Sequence, residues 1–258
     1  MTGPDWLWAD WPAPPGVCAG VTSRQSSPSG TAAVQPPEDP LGDFNLALHV
    51  GDDPPAVLAR RARLREALDL PAEPLWLRQV HGVGVVRHRG DAMPSGPPPE
   101  GDASVSTLAG TVLAVLTADC LPVVLASRDG QAIGIAHAGW RGLAGGVLEA
   151  TVAALGIPPQ ALVAWLGPSI EPPAFEVGGE VRDAFVTADP TAAADFLPNA
   201  RGRFLANLVG LARRRLAALG VGAVHGGGRG TFADAGRWYS HRRDARSGRM
   251  ATLVWRLP

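Results

Sequence analysis

The sequence predicts an α+β fold with mixed β-sheets. Short apolar and partly β-branched runs, which are typical of buried strands, lie close together at 111–117, 123–126 and 132–136. Segments with helical periodicity precede and follow this group of strands. Because helices and strands do not alternate regularly along the chain, the order favours α+β over a doubly wound fold.

The first helix is predicted over 55–70, where apolar side chains recur at helical spacing between arginines, and Pro54 stands near its start. The strands at 123–126 and 132–136 are separated by S-R-D-G, a turn sequence that predicts a β-hairpin. The other predicted elements are a helix at 142–155, a strand at Leu162–Leu166, a helix at 204–219 and a strand at 250–257.

Two helix ends have clear signals. Pro158 and Pro159 stop the helix at 142–155. The helix at 204–219 is strongly periodic, and Gly220 is expected to cap its C-terminus. Its arginines at 213–215 are expected to face solvent.

Composition limits the size and organisation of the fold. The chain has 258 residues, of which 46% are hydrophobic, enough to bury one sizeable core. We therefore expect one catalytic domain over 1–258. Stretches rich in Pro, Ser and Gly predict mobile loops at about 26–40 and 93–102.

Charge excludes several functions. The formal net charge is -1, which argues against a protein that coats nucleic acid. All 23 basic residues are arginine, so a P-loop lysine and a Schiff-base lysine are both excluded. Any anion must therefore be bound locally, by arginines or backbone amides.

Cysteine content and hydropathy predict the compartment. Cys18 and Cys120 are the two cysteines, too few for a disulfide framework, which favours a reducing environment. The N-terminal residues do not resemble a signal peptide, and no apolar stretch is long enough to span a bilayer. We expect a cytoplasmic protein that does not bind membranes.

Three residues at predicted strand ends can bind a metal: His81, Cys120 and His137. Two imidazoles and a thiolate suit zinc, and three protein ligands leave a fourth position for water or substrate, as in a catalytic site. The spacings of 39 and 17 residues match no short metal motif. The residues alone therefore leave open that Cys120 is a buried core thiol and the histidines are packing residues.

Five motifs resemble the laccase-domain family, and the resemblance extends from about Gly20 to Trp255. They are L-R-Q-V-H-G, T-A-D-C-L-P-V-V-L, A-I-G-I-A-H-A-G-W-R-G, L-G-P-S-I-E and W-Y-S-H-R-R-D-A-R-S-G-R-M-A. Members of this family are described as multicopper polyphenol oxidases and as purine nucleoside phosphorylases with adenosine deaminase activity.

The resemblance implies a layered α/β/β/α sandwich and a metal site on His81, Cys120 and His137, which would also be the catalytic residues. It implies purine nucleosides, among them adenosine, inosine and methylthioadenosine, and phosphate as substrates. One position departs from the family, because Gly230 stands where the family commonly has a cysteine. A thiol nucleophile at that position is excluded, so the metal is expected to activate the attacking group.

Phosphorolysis requires cationic groups that hold phosphate beside the ribose. Arg141 follows H-A-G-W and opens a predicted helix, whose N-terminus favours an anion. Arg242 and Arg243 are further candidates. An ordinary salt-bridged or solvated role remains an alternative for Arg242 and Arg243.

Other residues are candidates for contacts with the nucleoside. Arg24 and Asn45 match family positions beside the first predicted loop, although turn formation would also explain them. Trp140 and Tyr239 can stack on a base, but core packing is the commoner role of such rings. Asp119 neighbours Cys120, yet on an extended strand its side chain would face the other way, which favours a structural carboxylate.

Two alternatives to a zinc phosphorylase remain. The first is a copper-dependent, laccase-like polyphenol oxidase, although six histidines without an H-x-H pair are few for a multicopper centre. The second is a non-catalytic zinc-binding module. A structural zinc site usually has four protein ligands, and with Gly230 in place of cysteine no fourth ligand is evident.

Overall fold

The computed structural model describes residues 4–27, 39–90 and 96–258. The two predicted mobile loops, at about 26–40 and 93–102, lie outside these residues at 28–38 and 93–95. Within the described residues the strands are β1 (Trp6–Trp8), β2 (Val17–Thr22), β3 (Val85–His88), β4 (Ala103–Ser106), β5 (Val112–Thr117), β6 (Leu121–Ser127), β7 (Ile133–Ala138), β8 (Leu162–Leu166), β9 (Glu176–Val177), β10 (Phe196–Pro198), β11 (Phe204–Ala206), β12 (Ala223–Gly226) and β13 (Met250–Arg256). The α-helices are α1 (Pro54–Ala67), α2 (Trp140–Gly145), α3 (Val147–Leu155), α4 (Gly179–Val186) and α5 (Leu208–Leu219), and short 3₁₀ helices cover Pro159–Ala161 and Pro190–Asp195.

Two large sheets form the centre of the molecule. One has six strands in the order β12-β8-β6-β7-β4-β3, with parallel pairs at both edges and antiparallel pairs between them. The other has four antiparallel strands in the order β1-β2-β13-β5. A small antiparallel sheet has the order β10-β11-β9. The predicted α+β class with mixed sheets is confirmed.

The core is arranged in layers. Between the two large sheets lies a buried apolar cluster that includes Val115 from β5, Ile135 from β7 and Val254 from β13. Helices α3 and α5 cover the other face of the six-stranded sheet. Helix α1 packs Leu64 on the outer face of the four-stranded sheet, against residues such as Leu253. These contacts produce the expected α/β/β/α sandwich.

Strand β6 shows why the central apolar runs are continuous. Val123 and Leu125 pack on the helices, whereas Val124 and Ala126 pack on the second sheet. Because both faces are covered, neither set of alternate residues needs to be polar. The predicted hairpin is also confirmed, since β6 and β7 pair antiparallel across the S-R-D-G turn, where Gly130 has a φ of +72°.

The helix predicted at 142–155 is divided. It begins earlier, at Trp140, and breaks at Gly146, whose φ of +100° ends α2 and starts α3. The left-handed conformation is open to glycine at little cost but incompatible with a continuous helix. The first helix matches its prediction more closely, beginning after the capping residue Asp53 and ending at Ala67.

The helix predicted at 204–219 is wrong in its first turn. Phe204–Ala206 forms strand β11, and the helix begins only after Asn207, whose side-chain oxygen accepts a hydrogen bond from the Gly210 amide at 3.0 Å. The apolar residues before Asn207 fit a strand as well as a helix, so periodicity placed the start too early. At the other end, Gly220 with φ +93° confirms the predicted cap.

The arginines at 213–215 were expected to face solvent, but Arg213 and Arg215 bind neighbouring segments of the protein. Arg213 donates hydrogen bonds to the carbonyl oxygens of Val224 and Gly226, and Arg215 donates to Glu149 and to the Ala144 carbonyl. Long side chains on a polar helix face can therefore tie the helix to its neighbours. Among the helices of the described residues, none combines the length and hydropathy needed to cross a membrane.

The cap of α5 gives a stability test. We expect Asn207→Ala to lower the free energy of unfolding by about 1 kcal/mol, because the amides of the first turn lose their acceptor. Asn207→Ser keeps an acceptor and should lose less. Urea denaturation followed by circular dichroism measures both, and equal stability of the alanine variant and the parent would show that the cap is unimportant.

Candidate metal centre

Strand register brings two of the three predicted ligands together. In the β6–β7 hairpin Leu121 is opposite Ala138, so Cys120 and His137 lie at the same end of the sheet. Gly139 leaves room for the Cys120 and His81 side chains, because a Cβ atom added there would be 2.9 Å from the Cys120 sulfur and 3.3 Å from the His81 ring. The third ligand, His81, comes from the segment before β3 and has a left-handed backbone with φ +61°.

The three side chains form a compact donor cluster. One donor atom from each of His81, Cys120 and His137 lies within 4.8 Å of the others. The two imidazole rings are 4.8 Å apart between centroids and inclined by 76°. His137 is buried, Cys120 is partly buried and His81 is exposed. A metal bound by this cluster would therefore be accessible from the His81 side.

A buried carboxylate, Asp102, holds this cluster in place. Its Oδ1 lies 2.8 Å from His137 Nδ1 and accepts a hydrogen bond from the His81 amide at 2.9 Å. Its Oδ2 accepts from the amides of Gly82 at 2.7 Å and Val80 at 3.2 Å. The proton on His137 Nδ1 is thereby directed to Asp102, which leaves Nε2 to bind a metal.

The electrostatics of the cluster favour a thiolate. Burial raises the pKa of Cys120, but the positive charge of His137 and the hydrogen bonds from both histidines outweigh burial and lower this pKa to about 6. Burial lowers the pKa of His137, but the Cys120 thiolate and Asp102 raise it to about 9. Burial also opposes ionisation of Asp102, yet hydrogen bonds from His137 and backbone amides keep its pKa below the usual value. Without metal, Cys120 and His137 thus form an ion pair.

The cluster opens into a cleft of about 180 Å³. The cleft is lined by His49, Gln79, His81, Leu116, Thr117, Ala118, Cys120, His137, His241 and Arg249. Asp102, Gln79 and Arg249 carry no signal in the sequence that singles them out as site residues. The resemblance included Arg249 within a motif, although no spacing signal distinguished it.

The two predicted nucleoside-contact residues are buried, and neither is among the residues that line the cleft. Arg24 donates to the carbonyl oxygens of Ala235 and Asp39 and lies 5.1 Å from the Tyr239 ring. Asn45 accepts a hydrogen bond from the Arg249 amide at 2.9 Å, so it holds the backbone of a cleft residue. A direct role of either residue in substrate binding stays a prediction.

The three predicted phosphate-binding arginines lie outside the set that lines the cleft. Arg141 is exposed, with its guanidinium 4.5 Å from the Trp140 ring. Arg242 donates to two backbone carbonyl oxygens, those of Ala174 and Glu176. The Arg243 guanidinium donates to three more, on Thr231, Phe232 and Trp238. Their assignment to phosphate stays a prediction.

Asp119 has the structural role that the sequence favoured, but for a different reason. Its φ of +87° is not that of an extended strand. The carboxylate accepts hydrogen bonds from the hydroxyl groups of Thr231 and Ser240 and from the Arg242 amide, at 2.7, 3.0 and 2.7 Å. It therefore anchors the 231–242 segment beside the cluster.

Packing explains the positions of the two aromatic candidates and of Gly230. Tyr239 is fully buried, with its hydroxyl donating to the Leu41 carbonyl, and Trp140 packs against the helical core. Gly230 pairs with Ser169, and a Cβ atom added there would be 2.4 Å from a Glu171 oxygen. Gly230, at the position of the family cysteine, is therefore closely packed and is not among the residues that line the cleft.

Comparison with known proteins identifies the family of this chain. Residues 20–257 match the family model described as multi-copper polyphenol oxidoreductase laccase. A Pseudomonas aeruginosa protein named purine nucleoside phosphorylase is 53% identical over 251 residues, covering 97% of this chain and 98% of that protein. Escherichia coli YfiH, which has the same name, is 46% identical over 245 residues, covering 95% of this chain and 96% of YfiH.

Solved structures share the architecture. The crystal structure of a Neisseria meningitidis protein superposes with a TM-score of 0.88 at 44% identity, covering 98% of this chain and all of that one. YlmD from Geobacillus stearothermophilus superposes with a TM-score of 0.87 at 28% identity, covering 100% of this chain and 98% of YlmD. From the matched family model and these relatives, the chain belongs to the multi-copper polyphenol oxidoreductase laccase family.

Proposed function

We propose that this protein is a zinc-dependent purine nucleoside phosphorylase with additional adenosine deaminase activity. It would release the free base and ribose 1-phosphate from adenosine, inosine and methylthioadenosine. The observation that carries the proposal is the His81, Cys120 and His137 cluster, which is open on one side to a cleft. The names of the bacterial relatives support the choice of reaction.

The residues present fit a zinc ion. Ligand atoms in a tetrahedral zinc site are roughly 3.3–3.8 Å apart, given Zn–N and Zn–S bonds of about 2.0–2.3 Å. The donors lie within 4.8 Å of one another, so a small contraction brings them into range. With a thiolate and two neutral imidazoles as ligands, bound zinc retains a net charge of about +1 and supplies Lewis acidity to a water molecule or a substrate oxygen.

The chain's own residues prepare this site. Asp102 keeps the proton of His137 on Nδ1, away from the cleft. Cys120 is already a thiolate at neutral pH because of its histidine neighbours. The exposed imidazole of His81 stands where substrate would enter. Ligands that are charged and oriented in advance need little rearrangement when a metal binds.

Substrate contacts complete the proposal. Arg24 and Asn45 would support the nucleoside side of the cleft, and Arg141, Arg242 and Arg243 would contribute positive potential around it. We also propose a single catalytic domain over 1–258. The free thiols of Cys18 and Cys120 support a reducing, cytoplasmic setting.

A copper-dependent polyphenol oxidase is the second candidate, favoured by the description of the family model. The donor set also accepts copper, since two histidines and a cysteine form blue-copper sites together with a distant methionine. Within the part of the chain that the structure describes, however, one cluster of three such donors is found, which argues against a multicopper centre.

The proposed reaction is tested directly on purified, zinc-loaded protein. Each nucleoside is incubated with and without phosphate, and chromatography resolves base, ribose 1-phosphate and deaminated product. We expect phosphate-dependent release of base, and a loss of metal and of at least about 100-fold in activity in Cys120→Ala. Cys18→Ala is the matched control. The proposal is wrong if folded, zinc-loaded protein turns over no nucleoside, or if Cys120→Ala keeps full metal and activity.

The role of Asp102 predicts a change in metal affinity. Asp102→Asn removes the charge and presents an amide group to donors that need an acceptor, so we expect zinc affinity to fall about 10- to 100-fold. Competition with a chelating dye measures it, and the absorption spectrum of the cobalt-substituted protein reports the altered ligand geometry. Asp183→Asn, at an exposed carboxylate, is the control. Unchanged affinity and spectrum in a folded Asp102→Asn variant would refute this role.

The thiolate predicts a pH profile of alkylation in metal-free protein. Cys120 has a pKa of about 6, so from pH 7 to 8.5 it is already ionised and its rate of reaction with iodoacetamide should change little. Burial raises the pKa of Cys18, so its rate should rise about tenfold per pH unit over the same range. Peptide mass spectrometry follows both sites. Parallel profiles for the two cysteines would contradict the predicted ion pair, and zinc should protect Cys120.

A further inference from the structure

Arg249 places a positive charge in the cleft beside the metal ligands. It directly precedes β13, and its backbone amide donates to the buried side chain of Asn45. Its Nη1 donates to the carbonyl oxygens of Ser247 and Gly248. The guanidinium is thus fixed at one nitrogen by its own turn.

The other edge of this guanidinium is available. Within residues 4–27, 39–90 and 96–258, Arg249 Nε and Nη2 donate no hydrogen bond, and no carboxylate lies within salt-bridge distance of the group. These two nitrogens form the parallel pair of donors that binds an oxyanion with two hydrogen bonds. Burial lowers the pKa of Arg249, while the negative charges of Cys120 and Asp119 act to raise it. A bound anion would stabilise the partly buried guanidinium further.

The charges around the cleft favour an anion over a cation. No aspartate or glutamate is among the residues that line it. The nearby carboxylates Asp102 and Asp119 are buried and do not line the cleft, and their oxygens accept hydrogen bonds from the protein. Arg249 is the one arginine among the lining residues, so it supplies the permanent positive charge of the cleft.

His49 is the neutral partner of Arg249 in the cleft. Burial and the neighbouring charges of Arg249 and Arg61 hold the pKa of His49 below its usual value. A neutral imidazole can donate a hydrogen bond to an oxyanion while adding no further charge. The two free donors of the Arg249 guanidinium and the neutral donor of His49 together suit a small tetrahedral anion.

We propose that Arg249, assisted by His49, binds inorganic phosphate beside the metal centre and forms the co-substrate subsite. This inference rests on the proposed phosphorolysis. Arg249 differs from Arg141, Arg242 and Arg243 because it is among the residues that line the cleft, whereas those three are not.

The subsite has a defined part in the reaction. A phosphate oxygen forms a bond to C1′ of the ribose as the bond from C1′ to the purine nitrogen breaks. The bonding pair leaves with the purine, which takes the proton released by the hydrogen phosphate ion, and the products are ribose 1-phosphate and the free base. Arg249 holds the phosphate oxygens that do not react and so orients the attacking one.

The test compares Arg249→Gln, Arg249→Lys and the control Arg246→Gln in zinc-loaded protein. Arg246 is exposed and donates to the Gly51 carbonyl outside the cleft. We expect Arg249→Gln to raise the KM for phosphate at least about 20-fold while the KM for nucleoside changes less than about threefold, because a fork of two charged hydrogen bonds is lost. Arg249→Lys restores the charge but not the fork, so its KM for phosphate should lie between those of the parent and Arg249→Gln. Arg246→Gln should match the parent.

Direct binding separates this inference from the proposed function. Titration of inorganic phosphate into zinc-loaded protein, followed by calorimetry and by ³¹P NMR, should show binding that Arg249→Gln abolishes and His49→Gln weakens. Arg249-dependent phosphate binding without phosphorolysis by the parent would refute the proposed function and leave the subsite standing. Phosphorolysis with the same KM for phosphate and the same phosphate binding in Arg249→Gln, or in Arg249→Lys if the glutamine variant does not fold, would overturn the subsite.

Discussion

The geometry of the candidate site depends on one buried carboxylate. Asp102 is fully buried and lies immediately before β4. In the β4–β7 pairing Ala103 is opposite Ala136, which brings Asp102 opposite His137, and the His137 amide donates to the Asp102 carbonyl at 2.7 Å. The same residue thus contacts His137 through both backbone and side chain. An ionised carboxylate is stable in such a place only when its oxygens are fully hydrogen-bonded.

The Asp102 carboxylate also connects the loop that carries His81 to the sheet that carries His137. Cys120 and His137 are carried by the β6–β7 hairpin, whose strands are buried on both faces. His81 is carried by a loop in a left-handed conformation, which costs free energy for a residue with a side chain. The hydrogen bonds from the amides of 80–82 to Asp102 compensate for that cost. The loop ligand is consequently held in register with the sheet ligands.

Local patterns predicted the part of the fold that local chemistry determines. The apolar runs and the S-R-D-G turn identified β6 and β7, and the two layers that cover them explain why the runs are continuous. The start of α5 was misplaced because Phe204 and Leu205 fit either period until Asn207 supplies a cap. The metal-ligand candidates were found because cysteine and histidine are rare in this chain and chemically distinctive.

Local patterns could not predict residues whose role depends on contacts between segments far apart in the sequence. Asp102 contacts His137, 35 positions later in the chain, because β4 pairs with β7. Arg249 reaches the cleft through contacts with Asn45, 204 positions away. Arginines are equally ambiguous in sequence, since Arg213 and Arg243 resemble solvated residues yet donate to backbone carbonyl oxygens. Their partners follow from the sheet order, which no local signal contained.

The distribution of charge connects these observations. The nearby carboxylates are both held by the protein: Asp102 is hydrogen-bonded to His137, and Asp119 anchors the neighbouring segment. The positive charge of the cleft lining is on Arg249. An anionic reactant bound as proposed would meet Arg249, while the oxygens of Asp102 and Asp119 already accept hydrogen bonds from the protein. Gly230 contributes nothing to this arrangement of charges, because it packs beside Ser169 and Glu171. A chain that lacks the family cysteine there can therefore keep the whole polarised cleft.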